Sequence, residues 1–184
     1  MDKKGLRYLA GMRRHSLPAL LKAQYDENIR SQLLKLIPAA ERIGIYISVD
    51  DEADTRKIIE NLLQQQKQVF VPKCTMKQQR PSLDFYRILS LEECLPSRYG
   101  LLEPIPQPSR LCDLKELELM IVPVVGFDSR KNRIGHGRGY YDAILQQCRC
   151  TRIGLAYTLQ QVEDFDPEPH DVALDMVITE QGAF

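Results

Sequence analysis

The 184 residues carry 25 Lys and Arg against 25 Asp and Glu, so no net field draws the chain to nucleic acid or to a membrane surface. An apolar content of 43% belongs to a folding domain rather than a disordered chain, and the length suits one domain, 1–184. Five cysteines without a Cys-x-x-Cys pair (Cys74, Cys94, Cys112, Cys148 and Cys150) speak against a disulfide framework or zinc site and for a reducing, cytoplasmic setting.

The N-terminus has cations but no apolar h-region, and no apolar run is long enough to span a bilayer. Residues 3–15 are predicted as a helix. Ser16 is placed to cap a second one running to about Ile37, with Pro18 in its first turn. Ile43, Ile45 and Ile47 mark a strand over 42–48. Asp54 is expected to cap a helix over 55–66. Strands follow at 68–74 and 83–88, then a helical turn at 90–94 and an extended proline-rich crossing at 104–108. A strand at 117–125, a helix at 140–148 and strands at 152–157 and 174–179 complete the chain. Strands alternating with helices predict an α/β layered domain with a mostly parallel central sheet flanked by helices.

The most informative stretch is Arg133-Ile134-Gly135-His136-Gly137-Arg138-Gly139-Tyr140-Tyr141-Asp142. It follows a predicted strand and enters a predicted helix. Glycines let the backbone turn and bring N–H groups near a ligand, and a helix start adds donors and partial positive charge. Two guanidiniums can clamp oxygens from the sides. The spacing fits neither the P-loop nor the dinucleotide pattern, where Tyr140 stands in place of the third glycine. It is a different phosphate loop.

Other residues carry weaker signals. Lys3, Arg7 and Arg14, four and seven apart, form one stripe on the first helix. The stripe reads either as a solvated basic face or as further phosphate contacts. Glu52, in the acidic run 50–54 after a strand, is placed to hydrogen-bond a heterocycle with paired N–H donors, or to lie in a solvated loop. Tyr99 offers a ring to stack on a flat ligand or to pack on the surface. Asp142, in the first turn after the glycine loop, suits magnesium held with nucleotide phosphates, or simply a favourable acid at a helix start. His170 is given no catalytic role.

These residues together resemble the 5-formyltetrahydrofolate cyclo-ligase family, nearly end to end. The likeness rests on Lys3-x-x-Leu6-Arg7 with Arg14, Asp51-Glu52 with Asp54-Thr55, and Val71-Pro72-Lys73. It continues through 100–104 and 123–128, the glycine loop into Tyr140-Tyr141-Asp142, and His170-Asp171-x-x-x-Asp175. The resemblance implies ATP- and Mg2+-dependent cyclisation of 5-formyltetrahydrofolate, through a phosphorylated formyl group. It implies a fold similar to sugar-phosphate isomerases.

By the same resemblance, ATP is bound by Lys3, Lys4, Gly5, Leu6, Arg7, Arg14 and the loop Arg133, Ile134, Gly135, His136, Gly137, Arg138, Gly139, Tyr140 and Tyr141. Arg138 and Tyr141 are implied as catalytic, and Ile47, Glu52, Tyr99 and Tyr141 as folate contacts. Asp142 and Asp175 are implied as magnesium carboxylates, and Lys73 as a cation near a polyglutamate tail. A monomer that binds neither nucleic acid nor membrane is expected. Some relatives have tryptophan where Tyr99 stands, and this chain has none. Competing readings are a folate binder without turnover and a sugar-phosphate isomerase, which needs a general base but no ATP.

Overall fold

A computed structural model describes residues 1–37, 39–97 and 100–184. The chain opens with α1 (Lys3–His15), whose Leu6, Ala10 and Arg14 fall on one buried stripe at four-residue steps. Asp2 caps it, its Oδ1 accepting from the Gly5 N–H at 2.8 Å, a bond of the kind worth about 1 kcal/mol. Then come α2 (Ala19–Leu36), β1 (Arg42–Ile45), α3 (Arg56–Gln64), β2 (Gln68–Lys77) and β3 (Arg80–Ile88). A short ribbon, β4 (Cys94–Pro96) with β5 (Leu102–Pro104), precedes the central strand β6 (Leu119–Pro123). A second ribbon, β7 (Gly126–Phe127) with β8 (Arg133–Ile134), leads to α4 (Tyr140–Leu145). The chain closes with β9 (Thr151–Leu155), β10 (Met176–Thr179) and β11 (Gly182–Ala183).

Seven strands form one mixed sheet in the order β11-β10-β9-β6-β1-β2-β3. The five inner strands are parallel and both edge strands antiparallel. Alternation divides the core between two faces. Ile43, Ile45, Leu119, Ile121, Ile153 and Leu155 meet Leu33 of α2 and Ile58, Ile59 and Leu62 of α3. Met120 and Val122 point the other way, to Phe85 and to Ile144 and Leu145 of α4. All five residues of β6 are buried, as a strand covered on both faces requires. On the α4 side Gly154 lets the chain pack closely. A Cβ there would lie 2.5 Å from Leu174 Cδ1 and 2.7 Å from Val124 Cγ2.

Several local expectations need correction. Ser16 ends α1 rather than starting α2; its hydroxyl donates to Arg13 O, and Pro18 stands at the N-cap of α2. Thr55, not Asp54, is the N-cap of α3, while Asp54 accepts from the Arg56 N–H. The β2–β3 hairpin has Gln78 and Gln79 at φ of 50° and 63°, a tight turn without the Asn or Gly that usually marks one. The helix expected over 140–148 ends at Leu145.

The inner strands, numbered along the chain, lie in the order 2-1-3-4-5. The chain leaves β1 towards β2 and later returns to the other side of β1 as β6. Ligands of such sheets collect outside the carboxyl ends of the two strands where the direction reverses.

Candidate active site

A cavity of about 340 Å³ opens at this switch point, within the usual size range of small-molecule sites. Tyr46 and Ile47, beyond the end of β1, and Pro123, the end of β6, form part of its wall.

The glycine loop covers one side. It is presented by the β7–β8 ribbon, which is locked by Asp128. That buried carboxylate accepts from the N–H groups of Arg130 and Asn132 and from the Asn132 side chain. Gln160 holds the preceding segment by donating to Val124 O and Val125 O. Gly137 and Gly139 adopt φ of 81° and 73°, where other residues are strained. The turn brings Gly137 so close to Arg7 that a Cβ would stand 3.2 Å from the guanidinium carbon. Arg7 Nε donates to Gly135 O at 2.7 Å. With only six residues, α4 adds a small dipole, so positive charge in the cavity comes mainly from Lys3, Arg7, Arg133 and Arg138.

Arg133 is buried yet lines the cavity. Its guanidinium donates to Asp142 Oδ1 and stands 5.8 Å from the centre of the Tyr141 ring. Its Nε has no hydrogen-bond partner, and neither has the buried hydroxyl of Tyr141. Burial, and then the charge of Glu52, push the Tyr141 hydroxyl far above the ordinary tyrosine value despite the opposing Arg133. The phenol therefore keeps its proton and remains a donor. Leaving such a group unbonded costs about 1–3 kcal/mol, a deficit that a bound polar ligand would relieve.

Glu52 reaches the cavity from the loop after β1 and is 7% exposed. Its Oε2 accepts from the Val49 N–H at 3.1 Å, and its Oε1 lies 2.9 Å from His136 Nε2. Arg14 steadies this region from below. It is buried, paired with Asp51 at 2.7 Å, and absent from the cavity wall.

The fold therefore gathers Lys3, Arg7, Ile47, Glu52, Arg133, Gly135, His136, Gly137, Arg138, Gly139, Tyr140, Tyr141 and Asp142 around one space. It leaves out Lys4, Gly5, Leu6 and Ile134; Leu6 and Ile134 instead pack together beneath α1. Lys73 is paired with Glu103 at 3.1 Å. Tyr99 lies outside the described residues.

Asp175 is not brought to Asp142. It accepts from Nε and Nη2 of Arg152, each at 2.9 Å, and from the Arg152 N–H. Arg152 stands beside Met120 in the sheet, three residues before Pro123. At about 3.3 Å per residue, Asp175 is roughly 10 Å below the cavity end of the strands. Only Asp142 of the expected magnesium pair enters the cavity.

Among the further wall residues, Asp171, Glu103 and Cys74 were given no role from sequence. Asp171 binds Lys3 Nζ at 2.5 Å. Burial tends to raise its carboxyl value, but bonds from Lys3 and the Glu168 N–H hold it below the ordinary one. Glu103 is likewise held low: burial works upward, and bonds from Cys74, Ser97 and Lys73 outweigh it. Cys74 itself is pushed up to about 11 by burial and by Glu103, so its thiol is not an activated nucleophile. Asp171 has a faint trace in the sequence, beside His170. Glu103 lies in the matched stretch 100–104, though without an assigned role, and Cys74 has no such trace; the strand register and the β4–β5 ribbon bring both to the wall.

A family model described as the 5-formyltetrahydrofolate cyclo-ligase family matches residues 1–180. The chain belongs to this cyclo-ligase family. A 5-formyltetrahydrofolate cyclo-ligase of Haemophilus influenzae is 34% identical over 166 residues, covering 88% of each chain. One from Mus musculus is 31% identical over 203 residues, covering 98% of this chain and 94% of the other. The NMR structure of the Aquifex aeolicus 5,10-methenyltetrahydrofolate synthetase superposes with a TM-score of 0.84 at 25% identity, over all of this chain and 92% of that one. The mixed sheet flanked by helices is thus the fold of this family.

Proposed function

We infer that this cyclo-ligase family member converts 5-formyltetrahydrofolate and ATP to 5,10-methenyltetrahydrofolate, ADP and phosphate, with Mg2+. The observation that carries the reading is the shared chamber. The cationic glycine loop and the buried Glu52 and Tyr141 face one cavity, so a triphosphate and a formyl carrier can meet in line.

A formamide oxygen is a poor leaving group. Its attack on the γ-phosphorus breaks the bond to ADP and leaves an iminium phosphate. The N10 nitrogen of the folate then attacks the formyl carbon. The C–O bond breaks, phosphate departs and takes up the N10 proton, and the ring is closed. No protein nucleophile is required. The work is positioning and charge neutralisation.

Lys3, Arg7, Arg133 and Arg138 supply the cations for the triphosphate, and the 135–139 loop supplies backbone donors. Asp142 is the carboxylate for magnesium: one protein carboxylate with nucleotide phosphates and water is a common set for this ion. Bound magnesium would draw charge from the transferring phosphoryl group. Ile47 and Glu52 receive the pterin. Tyr141, protonated and unpartnered, serves as a donor to the reacting end of the folate, and the stacking role of Tyr99 rests on the sequence resemblance alone. Lys4, Gly5, Leu6, Ile134 and Arg14 support α1 and the loop rather than touch ATP.

The reading takes the enzyme as a monomer of one domain, 1–184, to be checked by its mass in solution. The free cysteines suit the cytoplasm. Among the described residues no helix is long and apolar enough to cross a membrane.

Purified protein should generate the methenyl chromophore only when ATP, Mg2+ and 5-formyltetrahydrofolate are all present. Product formed at an undiminished rate without ATP would reject the assignment.

A further inference from the structure

We propose that His136 holds the place of the folate on Glu52, so that folate and nucleotide each loosen the loop the other needs. The inference rests on the reading of the cavity given above and adds a role for one loop residue.

Both oxygens of Glu52 are engaged within the chain itself. Oε2 takes the Val49 N–H and Oε1 meets His136 Nε2 at 2.9 Å. A heterocycle offering paired N–H donors therefore finds Oε1 occupied. The imidazole belongs to the exposed rim, with half of its side chain open to solvent, whereas the Glu52 side chain is 8% exposed. The solvent-facing partner is on the loop, and the buried partner is in the wall.

His136 sits between two glycines that both engage Arg7. Gly135 O accepts from Arg7 Nε at 2.7 Å, and Gly137 lies against the guanidinium. One three-residue segment thus touches Glu52 on the folate side and Arg7 on the nucleotide side. A pterin that takes Oε1 must displace His136, and that loosens the segment from which Arg7 must part to reach a phosphate. A nucleotide that draws Arg7 and the loop to its phosphates pulls His136 from Glu52. Each ligand therefore removes a contact that opposes the other. Linkage requires the two effects on affinity to be equal, and such couplings are typically about 5–150-fold.

The residue type matters. A guanidinium in place of the imidazole would make a bidentate ion pair with Glu52 that a ligand could scarcely displace. An imidazole makes one bond, so a ligand with two adjacent donors competes and a ligand with one does not. His136 is by this argument a specificity-determining residue.

The test is calorimetric titration of the whole protein with 5-formyltetrahydrofolate. It is run with and without a non-hydrolysable ATP analogue and Mg2+, for wild type, His136→Ala and His136→Gln. In wild type, the analogue should lower the folate Kd at least about 5-fold. His136→Ala should bind folate more tightly than wild type without nucleotide, and its coupling should shrink towards one. His136→Gln, whose amide can still donate to Glu52, should recover part of the coupling. The imidazole NMR signals of wild type should move on adding folate. Weaker folate binding by His136→Ala with unchanged coupling would make His136 an ordinary substrate contact and overturn the proposal. Identical affinities and coupling in all three proteins would overturn it as well. A wild type that binds nucleotide but no folate would instead remove the reading of the cavity, and the proposal with it.

Discussion

The two ends of the parallel strands use the same kinds of side chain to opposite effect. At the amino ends, charges answer one another at the surface: Arg42 with Glu116, Lys67 with Glu41, and Arg152 with Asp175. At the carboxyl ends, Arg133 and Tyr141 keep buried polar atoms without partners, and Arg7 bonds a loop carbonyl instead of an acid. The first arrangement is complete in itself. The second is left incomplete around a cavity, and a buried polar group without a partner is unfavourable unless a ligand supplies one. The difference locates function more sharply than charge count, since an arginine–aspartate pair occurs at both ends.

The largest effect should come from disturbing the cavity end at Asp142. Asp142→Asn removes the carboxylate that faces Arg133 and the proposed magnesium position. A loss of about 100–1000-fold in kcat is expected, comparable to removing one charge-stabilising group. The check is steady-state kinetics across a magnesium titration, and wild-type turnover would deny Asp142 its role. Arg138→Ala should follow, raising the ATP requirement about 10–100-fold, as loss of a charge-assisted bond worth about 1.5–3 kcal/mol implies. Its folate Kd by calorimetry should hold. Glu52→Gln should do the reverse, raising the folate KM about 10-fold or more by the same scale with the ATP KM little changed. Matching defects in these two variants would erase the division of the cavity into nucleotide and folate sides.

The smallest effect belongs to the other end of the strands. Asp175→Asn breaks a partly exposed pair, and such pairs contribute about 1 kcal/mol or less. Turnover should stay within about 2-fold on that scale. The bond from Arg152, opposed by burial, holds the Asp175 carboxyl below its ordinary value of 3.8. A lowered folded-state value means that the pair stabilises the fold above the unfolded value and is lost as pH falls through the folded one. Thermal melts of wild type and Asp175→Asn should therefore differ slightly at neutral pH and converge below pH 3.8. A large loss of turnover with Asp175→Asn would contradict the placement of this residue away from the cavity.

Much of the architecture was legible before any coordinates. The span of α1 was anticipated to the residue, because its apolar and basic stripes follow the helical period. The alternation of strands and helices foretold a layered sheet. The antiparallel edges were not foreseen. The turn at Gln78 and Gln79 carries no glycine or asparagine, and the two-residue β11 is too short to show a pattern. The glycine loop stood out by its residue types, and the structure brings it to the cavity wall. The place of Asp175 away from the cavity was invisible, since a carboxylate beside a strand looks the same in sequence at either end of the sheet.

The order of residues along the chain determined the kinds of element, the glycine-rich loop with its arginines and, through the motifs together, the family. Tertiary structure decided which charges meet. His136 reaches Glu52 across 84 positions of chain, and Lys3 reaches Asp171 across 168. Such contacts arise because β1 and β6 become neighbours at the switch point and α1 packs under the glycine loop. Local periodicity records the face on which a side chain lies, whereas pairing at that range depends on how the strands are ordered, and periodicity does not carry that.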